Sequence, residues 1–191
     1  MQFHFRPEKA IQAAGVLLNA HGNCMEYIRL LKLLYIAERE QLQAIGTPIV
    51  GGRMVAMKHG PLHDVVYAMV KDQCGDAAKW NRYFTTSGHN IELREVDPGV
   101  TKLTRSEVTK LQEVSSRYDS LSTWELVDLT HSLDEWKTTY PAGTNTSIPI
   151  KALALLRAVG MSEIEAEALF ESEREAEEQA SELEGLFEPA S

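Results

Sequence analysis

The stretch "NCMEYIRLLKLLYIAEREQLQAIG", residues 23–46, decides the fold of this chain. Its apolar side chains occupy nearly every face of a helix, and a helix of that kind is buried on all sides. Asn23 is a preferred residue type for a helix N-cap, and Gly46 is typical of the position just past a helix end. The sequence therefore predicts a buried central helix over residues 23–46, with the other elements packed around it.

Shorter elements are predicted on both sides of the central helix. Pro7 suits the first turn of a helix, which we expect to stop near residues 21–23. After the central helix, a strand over 53–58 is followed by a tight turn at Gly60, and the next helix is expected to begin at Pro61. The remaining predicted segments are a helix to residue 72, a β-hairpin over 83–96, helices over 104–118, 122–136 and 149–160, a loop over 141–148, and a last helix over 162–187.

These segments predict a mainly α-helical α+β fold with a small antiparallel β-hairpin or three-stranded sheet. Because an isolated hairpin is marginally stable in water, we expect the 83–96 hairpin to extend the strand at 53–58. We expect a single compact helical domain with its small sheet over residues 1–160. Residues 161–191 are expected to form an acidic amphipathic helix, with an apolar stripe made of Leu169, Ala176, Ala180, Leu183 and Phe187.

Composition narrows the class of protein. The chain has 191 residues, of which 43% are hydrophobic, and this is enough for one domain with a real core. We find no apolar run of the roughly 18 residues that a membrane span needs, and no secretory signal at the start. The two cysteines, Cys24 and Cys74, suit a reducing compartment, so we expect a cytoplasmic protein without a membrane partner.

The negative charge is concentrated at the C-terminal end. Residues 162–191 hold eleven Glu and one Arg, so this segment carries a net −10, whereas the whole chain carries −9. The rest of the chain is therefore nearly neutral, and bulk charge does not draw it to nucleic acid. The acidic segment could mimic nucleic acid, meet a basic partner, or serve only as a solvated helix.

Several residues could in principle carry chemistry. His59 and His63 have the four-residue spacing of two metal ligands on a helix face, but Pro61 separates them and the spacing supplies no third ligand. His131 and Glu135 could form an acid–base pair, although packing beside Trp136 is the simpler interpretation. We find no nucleophile motif, phosphate-binding loop or dinucleotide motif. We therefore expect no catalytic, cofactor or metal site.

Three motifs in order resemble one family. They are "YIRLLKLLYIAE" (27–38), "GTPIVGGRMVAMKHGPLHDVVY" (46–67) and "LVDLTHSLDEWK" (126–137). Together they resemble the Panacea, or SocA-like, antitoxin domain over about residues 7–158. The positions of this chain that match the family pattern are Lys58, Gly60, Pro61, His131 and Trp136, here called the motif residues.

The resemblance implies a non-catalytic antitoxin. Such domains are encoded beside small toxic proteins in bacteria and phages and neutralise them by direct protein–protein binding. The resemblance thus implies a cognate protein toxin as partner, and the acidic segment suggests that this toxin is basic. Two alternatives remain, namely an adaptor that delivers a toxin to a protease and a hydrolase that uses His59, His63, Asp64 or His131.

Overall fold

A computed structural model describes residues 2–187 of the chain, with side chains described as far as residue 179. Within that range it has the α+β fold that the sequence predicts, with helices around two small antiparallel sheets. The elements in chain order are α1 Pro7–Asn19, β1 Cys24–Glu26, α2 Tyr27–Ile45, β2 Met54–Met57, β3 Gly60–His63, α3 Asp64–Val70, α4 Ala77–Trp80, β4 Phe84–Ser87, β5 Asn90–Leu93, α5 Arg105–Arg117, α6 Thr123–His131, α7 Asp134–Thr139, β6 Ile148–Ile150, α8 Ala152–Ala158 and α9 Glu163–Phe187.

The central helix is α2, and it is buried on almost every face as its composition predicts. It packs against α1, α5, α6 and β3. Gly46 ends it in the left-handed conformation, with φ +80°. The predicted N-cap is wrong, because Asn23 lies in a turn with φ +68° and the helix begins four residues later at Tyr27. The intervening residues form β1, a strand that three residues are too few to reveal.

The first sheet has the strand order β1-β5-β4. The predicted hairpin is present as β4 and β5, with Ser87 opposite Asn90 at its closed end. The expectation that it extends the strand at 53–58 is wrong, because β5 pairs instead with β1, Met25 lying opposite Ile91. The residues leading into the central helix thus satisfy the open edge of the hairpin.

The second sheet has the order β3-β2-β6. The predicted helix start at Pro61 is wrong, because Gly60–His63 is a strand antiparallel to β2 and the helix begins at Asp64. Proline cannot donate to a ladder and is tolerated on an edge strand, which is where Pro61 lies. The predicted helix start at 149 is also wrong, because Ile148–Ile150 forms β6 on the other side of β2.

The helices after the first sheet begin at reciprocal caps. Thr104 with Glu107 and Ser122 with Glu125 each form a complete capping box, the second of which the sequence predicts. The helix predicted over 122–136 is broken into α6 and α7, with Leu133 between them in an extended conformation.

The C-terminal helix α9 has its first half against the body. Ala166 is buried, Leu169 is half-buried, and the Phe170 ring stacks on Phe3 with centroids 5.2 Å apart. Ala176 is exposed, so the predicted apolar stripe does not continue to this residue. The predicted stripe residues 180, 183 and 187 lie outside the described side chains. Among the described residues, no helix is both long and apolar enough to cross a bilayer.

Candidate functional site

The site is built at the tip of the β2–β3 hairpin. Lys58 and His59 form the exposed turn, and Gly60 follows with φ +88°. Positive φ at non-glycine residues is confined, in residues 2–187, to Asn23 and Asp72. The turn residues therefore do not adopt the left-handed conformation, which Gly60 adopts directly after them.

Two neighbours leave no room for a side chain at Gly60. A Cβ there would overlap the Thr130 hydroxyl of α6 and would lie 3.1 Å from the Lys32 amine of α2. Gly60 is therefore required both by its backbone conformation and by the close approach of α2 and α6.

Lys32 of α2 holds the β2–β3 hairpin through its side chain. Its amine is buried and donates a hydrogen bond of 2.7 Å to the carbonyl of Pro61. Burial lowers the pKa of Lys32 to about 7. The central helix thus places a buried amine against the carbonyl of Pro61 in β3.

His131 and Trp136 clamp the turn from the side. The His131 Nε2–H donates to the carbonyl of Lys58 over 3.1 Å, and the Trp136 indole donates to the carbonyl of Met57 over 3.0 Å. The two rings stack with centroids 4.1 Å apart, and Tyr140 extends the stack. Burial, more than any other influence, lowers the pKa of His131. The structure therefore brings all five motif residues together around one turn, and it adds Lys32 to them.

Two adjoining depressions open beside this turn. The first, here called the hairpin pocket, holds about 150 Å³ and is lined mainly by apolar groups of α2 and of the hairpin. The second, here called the Trp136 groove, has a larger volume of about 750 Å³ and is lined by Trp136, Lys137 and Tyr140. Lys58 and Asn145 line both depressions, so together they form one continuous surface.

An exposed tryptophan stands beside this surface. Trp124 of α6 has 56% of its surface exposed, and the His59 ring contacts it edge to face with centroids 5.3 Å apart. An exposed aromatic residue of this size beside a pocket is typical of a protein-binding surface.

A comparison with known families identifies the domain. The family model described as "Antitoxin SocA-like, Panacea domain" matches residues 30–137, more than half of the chain. The chain belongs to this antitoxin family. The match begins inside α2 and ends inside α7, so it includes the five motif residues and Lys32. No curated protein and no solved structure matches the chain.

Within the Panacea domain, the other candidate residues lie apart from each other. His63 is buried next to Glu38, whereas His59 is exposed at the turn, so the two histidines do not converge. Glu135 is turned inward, where it accepts hydrogen bonds from Tyr35 and Arg39. It is thus engaged away from the hairpin turn, where the His131 Nε2 is bound. Among the described residues, no group of three potential metal ligands is found.

A second buried carboxylate holds the segment that leads into β2. Glu38 accepts hydrogen bonds of 2.7 to 2.9 Å from the N–H groups of Ile49, Val50 and Gly51. Burial raises the pKa of Glu38, but the imidazole of His63, 3.7 Å away, and the backbone donors outweigh it, so the pKa lies below its ordinary value.

Sequence reasoning missed Lys32 and Glu38, although a signal for both was present. In a helix that is apolar nearly all round, each charged residue needs a buried partner. Lys32 and Glu38 lie six residues apart on α2, and each binds the backbone of the 46–67 motif. The two family motifs are therefore joined by hydrogen bonds between side chains of α2 and backbone atoms of residues 46–67.

Proposed function

We propose that this protein is an antitoxin that neutralises a cognate protein toxin by direct binding in the cytoplasm, and that the surface around the hairpin turn contacts the toxin. Membership of the antitoxin family carries the first part of the proposal. The second part rests on the concentration of the motif residues at one turn, beside two depressions and an exposed tryptophan.

The contacts of the motif residues favour binding over catalysis. His131 and Trp136 use their ring N–H groups to hold the carbonyls of the turn, and Lys32 does the same with its amine. The residues that a hydrolase would use are dispersed, because His63 is buried and Asp64 is paired with Arg53. A rigid turn with exposed Lys58 and His59 suits a surface that recognises another protein.

The acidic helix α9 suggests the charge of the partner. Its described glutamates are mostly exposed, and the helix is anchored to the body through Phe170 and through Glu173, which pairs with Arg6 at 2.7 Å. A fixed row of negative charge accelerates the approach of a basic protein. We therefore infer a basic toxin, which α9 attracts before the hairpin surface docks.

The test uses the small protein encoded beside this gene. Its expression alone should stop growth, and co-expression with this protein should restore growth. The two purified proteins should form a complex, and Trp124→Ala should weaken that complex at least tenfold. The matched control is Ile45→Ala, since Ile45 is 54% exposed and lies at the end of α2. Equal weakening by both variants, at unchanged melting temperature, would contradict the proposed surface.

The same system separates neutralisation by binding from delivery to a protease. If the protein acts by binding alone, the half-life of the toxin in cells is the same or longer when the antitoxin is present. A toxin half-life that shortens in the presence of this protein, and recovers when a cellular protease is removed, would favour the adaptor function instead.

A further inference from the structure

We propose that the hairpin pocket receives one aromatic side chain of the toxin, and that a carboxylate next to this side chain pairs with Lys58 at the pocket mouth. The inference rests on the proposed antitoxin function and names the chemistry of the segment that docks. It is distinct from the long-range attraction by α9, because a protein that is basic overall can carry one acidic and aromatic anchor.

The size of the pocket fits a single ring. Its volume of about 150 Å³ resembles that of apolar cavities known to bind benzene. Ile28, Leu31 and Leu62 supply apolar walls, and Tyr27 supplies an aromatic wall. Tyr27 is itself fixed, because the Lys71 amine lies over its ring, 4.1 Å from the centroid. The walls can therefore hold a flat apolar group without being rebuilt.

The charges around the pocket select an anion. Lys58 lines both depressions and Lys137 lines the adjoining groove, whereas the buried Lys32 amine is already bonded to the carbonyl of Pro61. Among the described residues that line either depression, there is no Asp or Glu. Lys137 has only a long, exposed contact of 3.7 Å to Asp134. This positive patch contrasts with a chain of net charge −9, so it is local and complementary to a carboxylate.

The rim adds a contact for the rest of the docked segment. Trp124 and His59 form an exposed aromatic pair at the turn, and tryptophan is enriched among the residues that dominate binding energy at interfaces. A ring in the pocket, a carboxylate at Lys58 and apolar contact with Trp124 together define a short acidic and aromatic segment as the occupant.

The chain's own C-terminus has similar chemistry, because Phe187 is followed by Glu188 in the sequence. If this C-terminal segment were the occupant, a second copy of this protein, rather than the toxin, would fill the pocket. The Phe187→Ala variant separates these occupants. If the toxin is the occupant, this variant binds a probe as the original protein does. Probe binding that tightens in Phe187→Ala would assign the pocket to the chain itself and overturn the proposal.

The probes are three capped peptides titrated into the full chain and followed by amide NMR shifts. They are acetyl-Asp-Phe-Asp-amide, acetyl-Asp-Ala-Asp-amide and acetyl-Lys-Phe-Lys-amide. The first should bind at least tenfold more tightly than the others and should shift the amides of Leu31, His59 and Thr146. Lys58→Glu should weaken it about tenfold, whereas Lys102→Glu, at an exposed lysine in the loop before α5, should have no effect. Equal binding of the three peptides would overturn the inference.

The toxin assay distinguishes failure of this inference from failure of the proposed function. Ile28→Trp fills the pocket from a half-buried position and should abolish neutralisation, and Lys58→Glu should weaken the complex without a change in melting temperature. If both variants still neutralise the toxin, the pocket is not the docking site, although the antitoxin function stands. If the original protein neutralises no neighbouring toxin, the proposed function fails and the pocket loses its assigned occupant.

Discussion

At the scale of single residues, the site depends on groups that the turn itself cannot supply. The carbonyls of Met57, Lys58 and Pro61 each receive a hydrogen bond from a side chain on another element. The donors are far from the turn in the sequence. A sequence motif therefore identifies these residues without showing which carbonyl each one binds. The tight turn at Gly60 could be predicted from the Gly-Pro pair, but the close approach of Lys32 and Thr130 to Gly60 could not.

Gly60 gives the first prediction. Gly60→Ala places a side chain at φ +88° and against Thr130, whereas Gly88→Ala, at φ +60°, meets no atom within 4 Å. Both variants carry left-handed strain of about 1–2 kcal/mol, and overlap adds to it only at Gly60. Chemical denaturation should show Gly60→Ala to be about 1–3 kcal/mol less stable than Gly88→Ala. Equal losses would mean that α2 and α6 do not constrain the turn.

Lys32 gives a prediction about pH. Its pKa is about 7 in the folded protein and near 10.5 when solvated, so the unfolded chain binds more protons between these values. Lys32 therefore makes the free energy of unfolding increase as the pH rises from about 7 towards 10. Lys32→Met should lack this gain, which is measured as the difference between the two proteins in urea unfolding at pH 7 and pH 9.

The control for Lys32 is Lys102→Met, which changes an exposed lysine. Its pH dependence should follow that of the original protein. The Lys32 argument is refuted if the difference between the original protein and Lys32→Met stays constant from pH 7 to pH 9.

At the scale of elements, the parts with a strong local pattern were predictable. The all-round apolar helix, the β4–β5 hairpin and the Ser122 capping box follow from residues close together in the chain. The short strands β1 and β6 could not be predicted in this way. Each has three residues and pairs with the open edge of a strand that is distant in the chain. The predicted helix start at Pro61 is wrong because a proline suits both a helix start and an edge strand.

The hydrogen bond from Trp136 of α7 to β2 gives a prediction at this scale. Trp136→Phe keeps an aromatic ring for the stack with His131 and Tyr140 but removes the indole donor to the carbonyl of Met57. The loss should be about 1 kcal/mol in the free energy of unfolding, the usual size for one hydrogen bond. Trp124→Phe, at an exposed tryptophan, should change stability by less than about 0.5 kcal/mol. Similar values for the two variants would argue against a clamp.

At the scale of the whole molecule, charge is divided between two regions. Most of the described glutamates of the acidic helix α9 are exposed, whereas the depressions at the hairpin are lined by lysines. The sequence predicts the first region, because the glutamates lie close together in the chain. It does not predict the second, because Lys32, Lys58 and Lys137 are brought together only by the fold.

The division gives a kinetic prediction. Replacing Glu167, Glu171, Glu175 and Glu178 with Gln should slow toxin association several-fold at low salt and flatten its dependence on ionic strength, because steering is screened by salt. The control removes the same number of charges from the body, at Glu8, Glu92, Glu95 and Glu113. Stopped-flow mixing measures both sets. Association rates that fall equally in the two variants would assign the effect to net charge rather than to α9.

The strand order β3-β2-β6 also determines when the second sheet can be completed during synthesis on the ribosome. The hairpin of β2 and β3 is complete at His63, but the other edge of β2 waits for Ile150. At roughly 5–20 residues per second, translation leaves that edge open for several seconds. An unpaired strand edge is a template for pairing with other chains, so the nascent protein is vulnerable to aggregation in that interval. Rare codons between β3 and β6 would lengthen the interval and lower the soluble yield without altering the finished protein.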